Sequence, residues 1–149
     1  MRVTSERVWE IVRVAREKGI PIDLHKADLS TFGLARIDLS KADLSGAKMV
    51  QISLGDSNLS GANLSEADLS SAILSGANLR GANLSRAYLF LASLDETDLR
   101  DADLSKATLN GANLDGARLS GTILIGAHYN ENTIWPVGFD PEAAGAKLR

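Results

Sequence analysis

Leucine recurs at every fifth residue from Leu24 to Leu124, with Met49 in its place once, and a small residue, usually alanine, stands two positions before it. In an α-helix a five-residue step turns the chain by about 500°, so these leucines would scatter around the helix axis. In extended backbone, residues two apart point to the same side, so the alanine and the leucine face inward together and the residue between them faces outward. The pattern predicts one very short strand in every unit and no helix in this region.

The two residues after each leucine are predicted to turn the chain. Serine is common at the first of them, and glycine occupies the second in eight units: Gly46, Gly61, Gly76, Gly81, Gly111, Gly116, Gly121 and Gly126. The third residue of a type II β-turn has a positive φ, which glycine adopts without steric cost. The units are therefore expected to wind into a solenoid without an insertion, with inward positions running on through Tyr129 to Ile134.

Ahead of the repeats, the segment 4–18 is predicted to form an amphipathic helix. Thr4 or Ser5 suits the N-cap and Gly19 the C-terminal stop. The apolar residues follow helical spacing: Val8, Ile11, Val12 and Ala15. A membrane-surface helix or a calmodulin-binding helix has a similar apolar stripe. The mixed signs of the other charges, and the position directly before a repeat array, favour a helix that covers the open end of the first coil.

The unit A-[D/N]-L-S-x, clearest in SGANLSEADLS at 60–70, resembles the repeat of the pentapeptide repeat family from Ile22 to Tyr129. The resemblance implies an all-β fold, a right-handed quadrilateral parallel β-helix of about six coils with four units per coil and an N-terminal capping α-helix. It also implies three segments: the capping helix at 1–20, the β-solenoid at 21–134, and a C-terminal cap and tail at 135–149.

Four units per coil would place residues twenty apart on the same side of the rod. Large residues occupy inward alanine positions only in the first two coils: Ile22, Phe32, Ile37 and Ile52. Later inward positions carry hydroxyls that are expected to donate hydrogen bonds to neighbouring backbone: Ser57, Thr97 and Thr122.

The repeat pattern fades after Tyr129, and the segment TIWPVGFDPEAAGA resembles the C-terminal segment of cyanobacterial pentapeptide repeat proteins. Its large side chains are predicted to close the lower end of the rod: Tyr129, Ile134, Trp135 and Phe139. Asp140, followed by Pro141, is a candidate N-cap for one short helical turn at 142–144.

Residues that carry chemistry are few, and the sequence predicts no enzyme. His25 and His128 would lie about five coils apart, too far to share a metal ion or a catalytic triad. The Asp and Asn residues before the leucines would form ladders along the rod, solvated or hydrogen-bonded rather than paired for catalysis. No phosphate-binding or hydrolase motif occurs, so no catalytic, cofactor-binding or metal site is predicted.

Composition and charge narrow the range of partners. The net charge of −3 offers no basic footprint for nucleic acid, and no stretch is apolar enough to span a membrane. The absence of cysteine fits a cytoplasmic location. A protein partner is therefore expected, with the chain itself a monomer or a weak homodimer.

The resemblance also raises an alternative, because the family includes proteins that bind DNA gyrase as an acidic rod shaped like duplex DNA. Residues 22–129 hold thirteen acidic and nine basic residues. The excess of acidic residues gives the rod about a quarter of the negative charge per unit length of duplex DNA. The densest acidic stretch, termed the acidic belt, is predicted to encircle one coil: Asp95, Glu96, Asp98, Asp101 and Asp103. A DNA mimic needs charge along the axis, so a gyrase inhibitor or protector stays the alternative.

The other departure from the solvated pattern is apolar. Tyr88, Phe90 and Leu91 surround the inward Leu89 and are predicted to face outward. These three residues are termed the apolar patch. Contiguous exposed apolar surface marks interaction sites, although single surface apolar residues are common. The sequence thus favours a structural or protein-interaction scaffold, with the patch as its candidate contact site.

Overall fold

The computed structural model describes residues 3–149, so the first two residues of the expected 1–20 segment lie outside it. It contains one helix and two short strands: α1 (Ser5–Lys18), β1 (His128–Tyr129) and β2 (Lys147–Leu148). Between α1 and β1 the chain forms isolated parallel bridges that join residues twenty positions apart, from Asp23↔Asp43 to Thr108↔His128. Within residues 3–149, no helix has the length and apolar character needed to cross a bilayer.

These bridges define a coil with four sides. A β-turn follows each strand position, closed for example by the hydrogen bond from the Ala67 N–H to the Leu64 carbonyl (3.1 Å). Because a corner comes every five residues, four corners fill the twenty-residue step. The bridged residues form four ladders, which begin at Asp23, Asp28, Gly33 and Asp38. The first three hold six residues each and the last holds five, with about 4.8 Å between coils.

One repeat unit shows how every backbone N–H is used. The N–H groups of Asn63, Leu64 and Glu66 donate to carbonyls of neighbouring coils at 2.7–3.0 Å. The Ala67 N–H closes the turn, and the Ser65 N–H donates to the side-chain Oδ1 of Asn63 (3.1 Å). The outward Asp or Asn therefore supplies the acceptor for the one N–H that the coil geometry leaves over.

The second corner residue has a positive φ whether or not it is glycine. Thirteen non-glycine residues adopt this conformation, including the β-branched Thr31 at φ 67°, whereas the sequence pattern indicates it only at the glycines. Left-handed backbone costs an L-residue about 1–2 kcal/mol. The Thr31 N–H donates to the Val50 carbonyl of the next coil (2.9 Å), and leaving that N–H unpaired would cost a similar amount. Contact between coils therefore overrides local preference at these corners.

The inward positions form one continuous core. Every inward leucine from Leu29 to Leu114 is fully buried. The large inward residues of the first coils are buried as predicted: Ile22, Phe32, Ile37 and Ile52. The predicted hydrogen bonds of the inward hydroxyls are also present: Ser57 to the Leu34 carbonyl (3.1 Å), Thr97 to Leu94 (2.7 Å) and Thr122 to Leu99 (2.7 Å).

Helix α1 packs its apolar face on this core. Its buried residues belong to the same cluster as the repeat leucines: Val8, Val12 and Ala15. The helix begins after Thr4, whose Oγ1 accepts a hydrogen bond from the Arg7 N–H (3.1 Å), and it ends at Gly19 with φ 63°. Arg16 ties the helix to the repeats by donating to the Ser40 carbonyl (2.7 Å). The apolar stripe of α1 is thus used within the molecule.

The last coil contains one extra residue, which breaks the expected period. Ile134 bridges Asn113, twenty-one positions earlier, so it takes an outward position and is 51% exposed. The expectation that Ile134 continues the inward row and helps to close the rod is therefore wrong. Trp135, one residue later, meets the Tyr129 ring edge-on (centroids 5.5 Å) and stacks on Phe139 (5.3 Å). These three rings form one contact cluster at the end of the repeats.

The tail after this cluster returns to the rod. Asp140 Oδ1 accepts from the Ala143 N–H (3.1 Å), as expected of an N-cap, and the single turn that follows ends at Gly145 (φ 91°). Strand β2 then pairs in parallel with β1, with Lys147 beside His128. The tail thereby covers an edge of the last coil.

Replacement of a buried leucine by aspartate tests the inward assignment. Leu84 is fully buried, and an aspartate there would remove apolar contacts and place a carboxylate in an apolar core. We expect Leu84→Asp to lower the free energy of unfolding by more than about 4 kcal/mol and to abolish the cooperative thermal transition in circular dichroism. Arg86→Asp is the control, because Arg86 is exposed at the next corner. An unchanged Tm for Leu84→Asp would contradict the assignment.

Alanine substitutions at two glycines distinguish the energetic cost of a positive φ from that of a steric clash. A Cβ added at Gly81 or Gly33 would meet no atom within 4 Å, but only Gly81 has a positive φ, 67°. We expect Gly81→Ala to destabilise the protein by about 1 kcal/mol. Gly33→Ala should be neutral or slightly stabilising, because alanine reduces the entropy of the unfolded chain. Urea unfolding measures both, and equal effects would rule out a conformational origin.

Candidate interaction surface

The Asp and Asn residues of the ladders hold the corners. Their Oδ1 accepts a hydrogen bond from the backbone N–H two residues later, as from Ser70 to Asp68 (3.1 Å). In several units the serine hydroxyl donates to the same oxygen at 2.6–2.8 Å. At Asp98, hydrogen bonds from the Arg100 guanidinium lower the pKa of the carboxyl to about 2. These groups are engaged by the architecture, which accounts for their recurrence without catalysis.

The acidic belt covers residues 95–103, about two of the four sides of one coil and not the whole circumference that was predicted, and two of its carboxylates are paired. Two ion pairs involve it: Asp98 with Arg100 (2.7 Å) and Asp101 with Arg80 (3.7 Å). Along its ladder, Asp98 stands between the neutral Asn78 and the cationic Arg118. The negative charge therefore does not continue along the axis through Asp98.

The two histidines lie on the first and the last coil, and His25 has two acidic neighbours, Asp23 and Asp43. Its Nδ1 lies 2.5 Å from Oδ1 of Asp23. Ligand atoms of Asp23, His25 and Asp43 all lie within 4.8 Å of one another. The signal was present in the sequence, because the two aspartates are twenty residues apart and the histidine follows the first by two.

The apolar patch lies on one side of the coil and on the corner that follows it. Tyr88, Phe90 and Leu91 are 54%, 47% and 52% exposed, whereas Leu89 between them is fully buried. Leu91 rests against the next coil, because a Cβ on Gly111 would lie only 2.7 Å from its Cδ2. The three side chains therefore all face outward, with the buried Leu89 between Tyr88 and Phe90.

Further apolar and charged residues border the patch. Ile73, one coil earlier, is 48% exposed and bridges Ser93 on the adjoining side. Ile73 is not among the patch residues predicted from the sequence, although an isoleucine at an Asp/Asn position is a readable signal. A surface groove of about 600 Å³ runs beside Tyr88, lined by Lys26, Gly46, Lys48, Glu66, Arg86 and Tyr88. Three cations and one carboxylate thus line the groove that Tyr88 borders.

The patch residues replace those that the repeat commonly uses. Tyr88 occupies a ladder position next to Asp68, where Asp or Asn would accept the corner N–H. Phe90 stands where serine is common, and Leu91 takes the left-handed position (φ 57°) where glycine is common. The fold therefore has no need of these three apolar side chains.

The model of the family described as pentapeptide repeats matches the chain at residues 37–76 and 92–128, with eight copies. These matched residues make up more than half of the chain. No curated protein sequence gives a significant match.

Solved structures show the same fold. Rfr23, a pentapeptide repeat protein from the cyanobacterium Cyanothece 51142, is 26% identical with a TM-score of 0.79, covering 89% of this chain and 99% of that one. HetL from the cyanobacterium Nostoc sp. strain PCC 7120, a pentapeptide repeat protein involved in heterocyst differentiation regulation, is 33% identical (TM-score 0.52; 83% and 69% covered). QnrB1, a plasmid-mediated fluoroquinolone resistance protein, is 25% identical (TM-score 0.72; 90% and 68% covered).

The five-residue period, the four-sided coil and these matches agree with one another. The family's right-handed β-helix is the fold that the sequence resemblance implied. The chain belongs to the pentapeptide repeat family.

Proposed function

We propose that this protein is a non-catalytic, cytoplasmic scaffold that binds a protein partner through the apolar patch. The observation that supports this most directly is that Tyr88, Phe90 and Leu91 are about half exposed at positions where the repeat commonly has Asp or Asn, Ser and Gly. The rod, with about six coils, a helix at its N-terminal end and an aromatic cluster at the other, serves as a rigid support. The chain acts as a monomer or a weak homodimer.

Exposure of the patch has a physical cost that a partner would remove. Burying apolar area contributes about 25 cal/mol per Å², and aromatic side chains dominate the binding energy of many interfaces. Phe90 and Tyr88 are large aromatic groups on a backbone held at both sides by hydrogen bonds between coils. The patch therefore presents its anchors with little conformational entropy left to lose.

The groove beside Tyr88 indicates the chemistry of the partner. Its lining includes Lys26, Lys48 and Arg86 against Glu66. The neighbouring Asp68 directs its Oδ1 to the Ser70 N–H and hydroxyl. A protein segment that offers an apolar side chain flanked by carboxylates fits this combination best.

Reversion of the patch to the repeat pattern tests the proposal. The triple variant Tyr88→Asn, Phe90→Ser, Leu91→Gly restores a common residue at each position, so the fold should keep its stability. The wild-type protein should capture a partner from an extract of the source organism. We expect the triple variant to capture at least about tenfold less of that partner.

Val137→Ser is the matched control, because Val137 is fully exposed outside the repeats. Binding should weaken only modestly as salt rises, because salt screens the attraction between the groove cations and the partner's carboxylates but not the burial of apolar area. The site would be disproved if the triple variant captured the same partner at the wild-type level. It would also be disproved if the triple variant, mixed with that partner, sedimented in the same complex as the wild-type protein does.

A DNA-mimicking inhibitor or protector of DNA gyrase is the second candidate, favoured by the structural similarity to QnrB1, a fluoroquinolone resistance protein. The belt geometry and its pairing with Arg100 and Arg80 oppose it. We expect no effect of micromolar protein on gyrase-catalysed supercoiling at low salt. An effect that falls steeply as salt rises would instead favour the DNA mimic.

A further inference from the structure

One position in the ladders breaks a rule that the others keep. Of the isolated bridges in residues 3–149, Asp23↔Asp43 is the only one that joins two acidic residues. Further along the same ladder, Asn63 and Asn83 separate Asp43 from Asp103. Like charges placed directly opposite each other on neighbouring strands are destabilising. A positive charge next to the two stacked aspartates would therefore reduce their repulsion and stabilise this pair.

His25 stands at the corner beside this pair, at a position where serine is common in the repeat. Its Nδ1 lies 2.5 Å from Oδ1 of Asp23, and potential ligand atoms of the three residues lie within 4.8 Å of one another. The carboxylates of Asp23 and Asp43 thus converge with an imidazole at the surface of the first two coils.

We propose that Asp23, His25 and Asp43 bind a divalent transition-metal ion, with Zn²⁺ as the reference ion. One imidazole nitrogen and two carboxylate oxygens form a mixed donor set that suits Zn²⁺ and its neighbours better than Mg²⁺ or Ca²⁺, which prefer oxygen alone. Ligand atoms that share an ion with bonds of about 2.0–2.2 Å lie within about 4.4 Å of each other. The observed spacing of up to 4.8 Å is close to that value. A bound ion would replace the hydrogen bond between His25 Nδ1 and Asp23 Oδ1, and water would fill the remaining coordination positions.

The backbone holds the ligands in place before an ion arrives. The Leu24 N–H donates to the Asp43 carbonyl (2.8 Å) and the Asp43 N–H to the Ile22 carbonyl (2.9 Å), which fixes the two aspartates in register. Oδ1 of Asp43 accepts from the Ser45 N–H (3.0 Å) and hydroxyl (2.7 Å). This bonding orients the carboxylate and leaves Oδ2 as the ligand atom.

Isothermal titration of the protein with ZnCl₂ in a non-chelating buffer tests the site. We expect wild-type protein to bind one Zn²⁺ at pH 7.5, and to bind it more tightly than Mg²⁺. His25→Ser and Asp43→Asn introduce residues that the repeat already uses, so folding should be retained. Each should weaken Zn²⁺ binding at least about tenfold, because the loss of even an outer-shell partner of a ligand costs about that much. The rise of Tm on adding Zn²⁺ should disappear in parallel.

Asp103→Asn is the matched control, because it removes one carboxylate from the same ladder at a place where the neighbour is Asn83. It should leave Zn²⁺ affinity unchanged. Absence of saturable binding by the wild-type protein at millimolar Zn²⁺, equal affinity for Mg²⁺, or unaltered affinity in His25→Ser would each overturn the site. None of these outcomes bears on the apolar patch, which lies elsewhere on the rod.

Discussion

Backbone hydrogen bonds between successive coils hold this molecule together. A single coil of twenty residues has no partner of its own for most of its N–H and C=O groups, so each coil is stable only against the next. In a representative unit, three of the five N–H groups donate to neighbouring coils, one closes the corner and one is taken by the Asn side chain. The buried leucines add a large apolar contribution, but the hydrogen-bond register decides which residue stacks on which. The left-handed corner at Thr31 exists because that register requires it.

This arrangement explains why most polar residues of the chain carry no separate function. Asp and Asn accept the remaining corner N–H, the corner serines reinforce the same oxygen, and inward hydroxyls such as Thr97 bond to core carbonyls. Function is therefore to be sought where the repeat departs from its own pattern. Tyr88, Phe90 and Leu91 are such a departure, because in one unit they replace the Asp or Asn that accepts the corner N–H, the corner serine and the corner glycine. The Asp23–Asp43 stack is another, since it accepts a repulsion that the other bridges of the described chain avoid.

The two departures differ in kind and in place. The patch exposes apolar area beside a basic groove and suits a protein surface. The Asp23, His25 and Asp43 cluster presents carboxylate and imidazole atoms that can bind a metal ion. It lies near α1, at the opposite end from the aromatic cluster of Trp135. A rigid rod keeps two such surfaces at a fixed separation, which is a property that a scaffold can use.

The sequence by itself determined the inward and outward positions, helix α1 and its ends, the core hydroxyl bonds and the exposure of the patch. It could do so because a strict period ties each residue type to one environment, and local chemistry at Thr4 and Gly19 sets the helix boundaries. Only the tertiary structure decided the rest. The extra residue in the last coil turns Ile134 outward, and β2 returns to pair with β1. Both depend on contacts between segments far apart in the chain, and such contacts are not visible in the five-residue pattern. The twenty-residue spacing of Asp23 and Asp43 was readable in the sequence, but how closely the His25 side chain approaches Asp43 was not. Hydrogen bonds between coils, rather than local preference, set the distance between such neighbours.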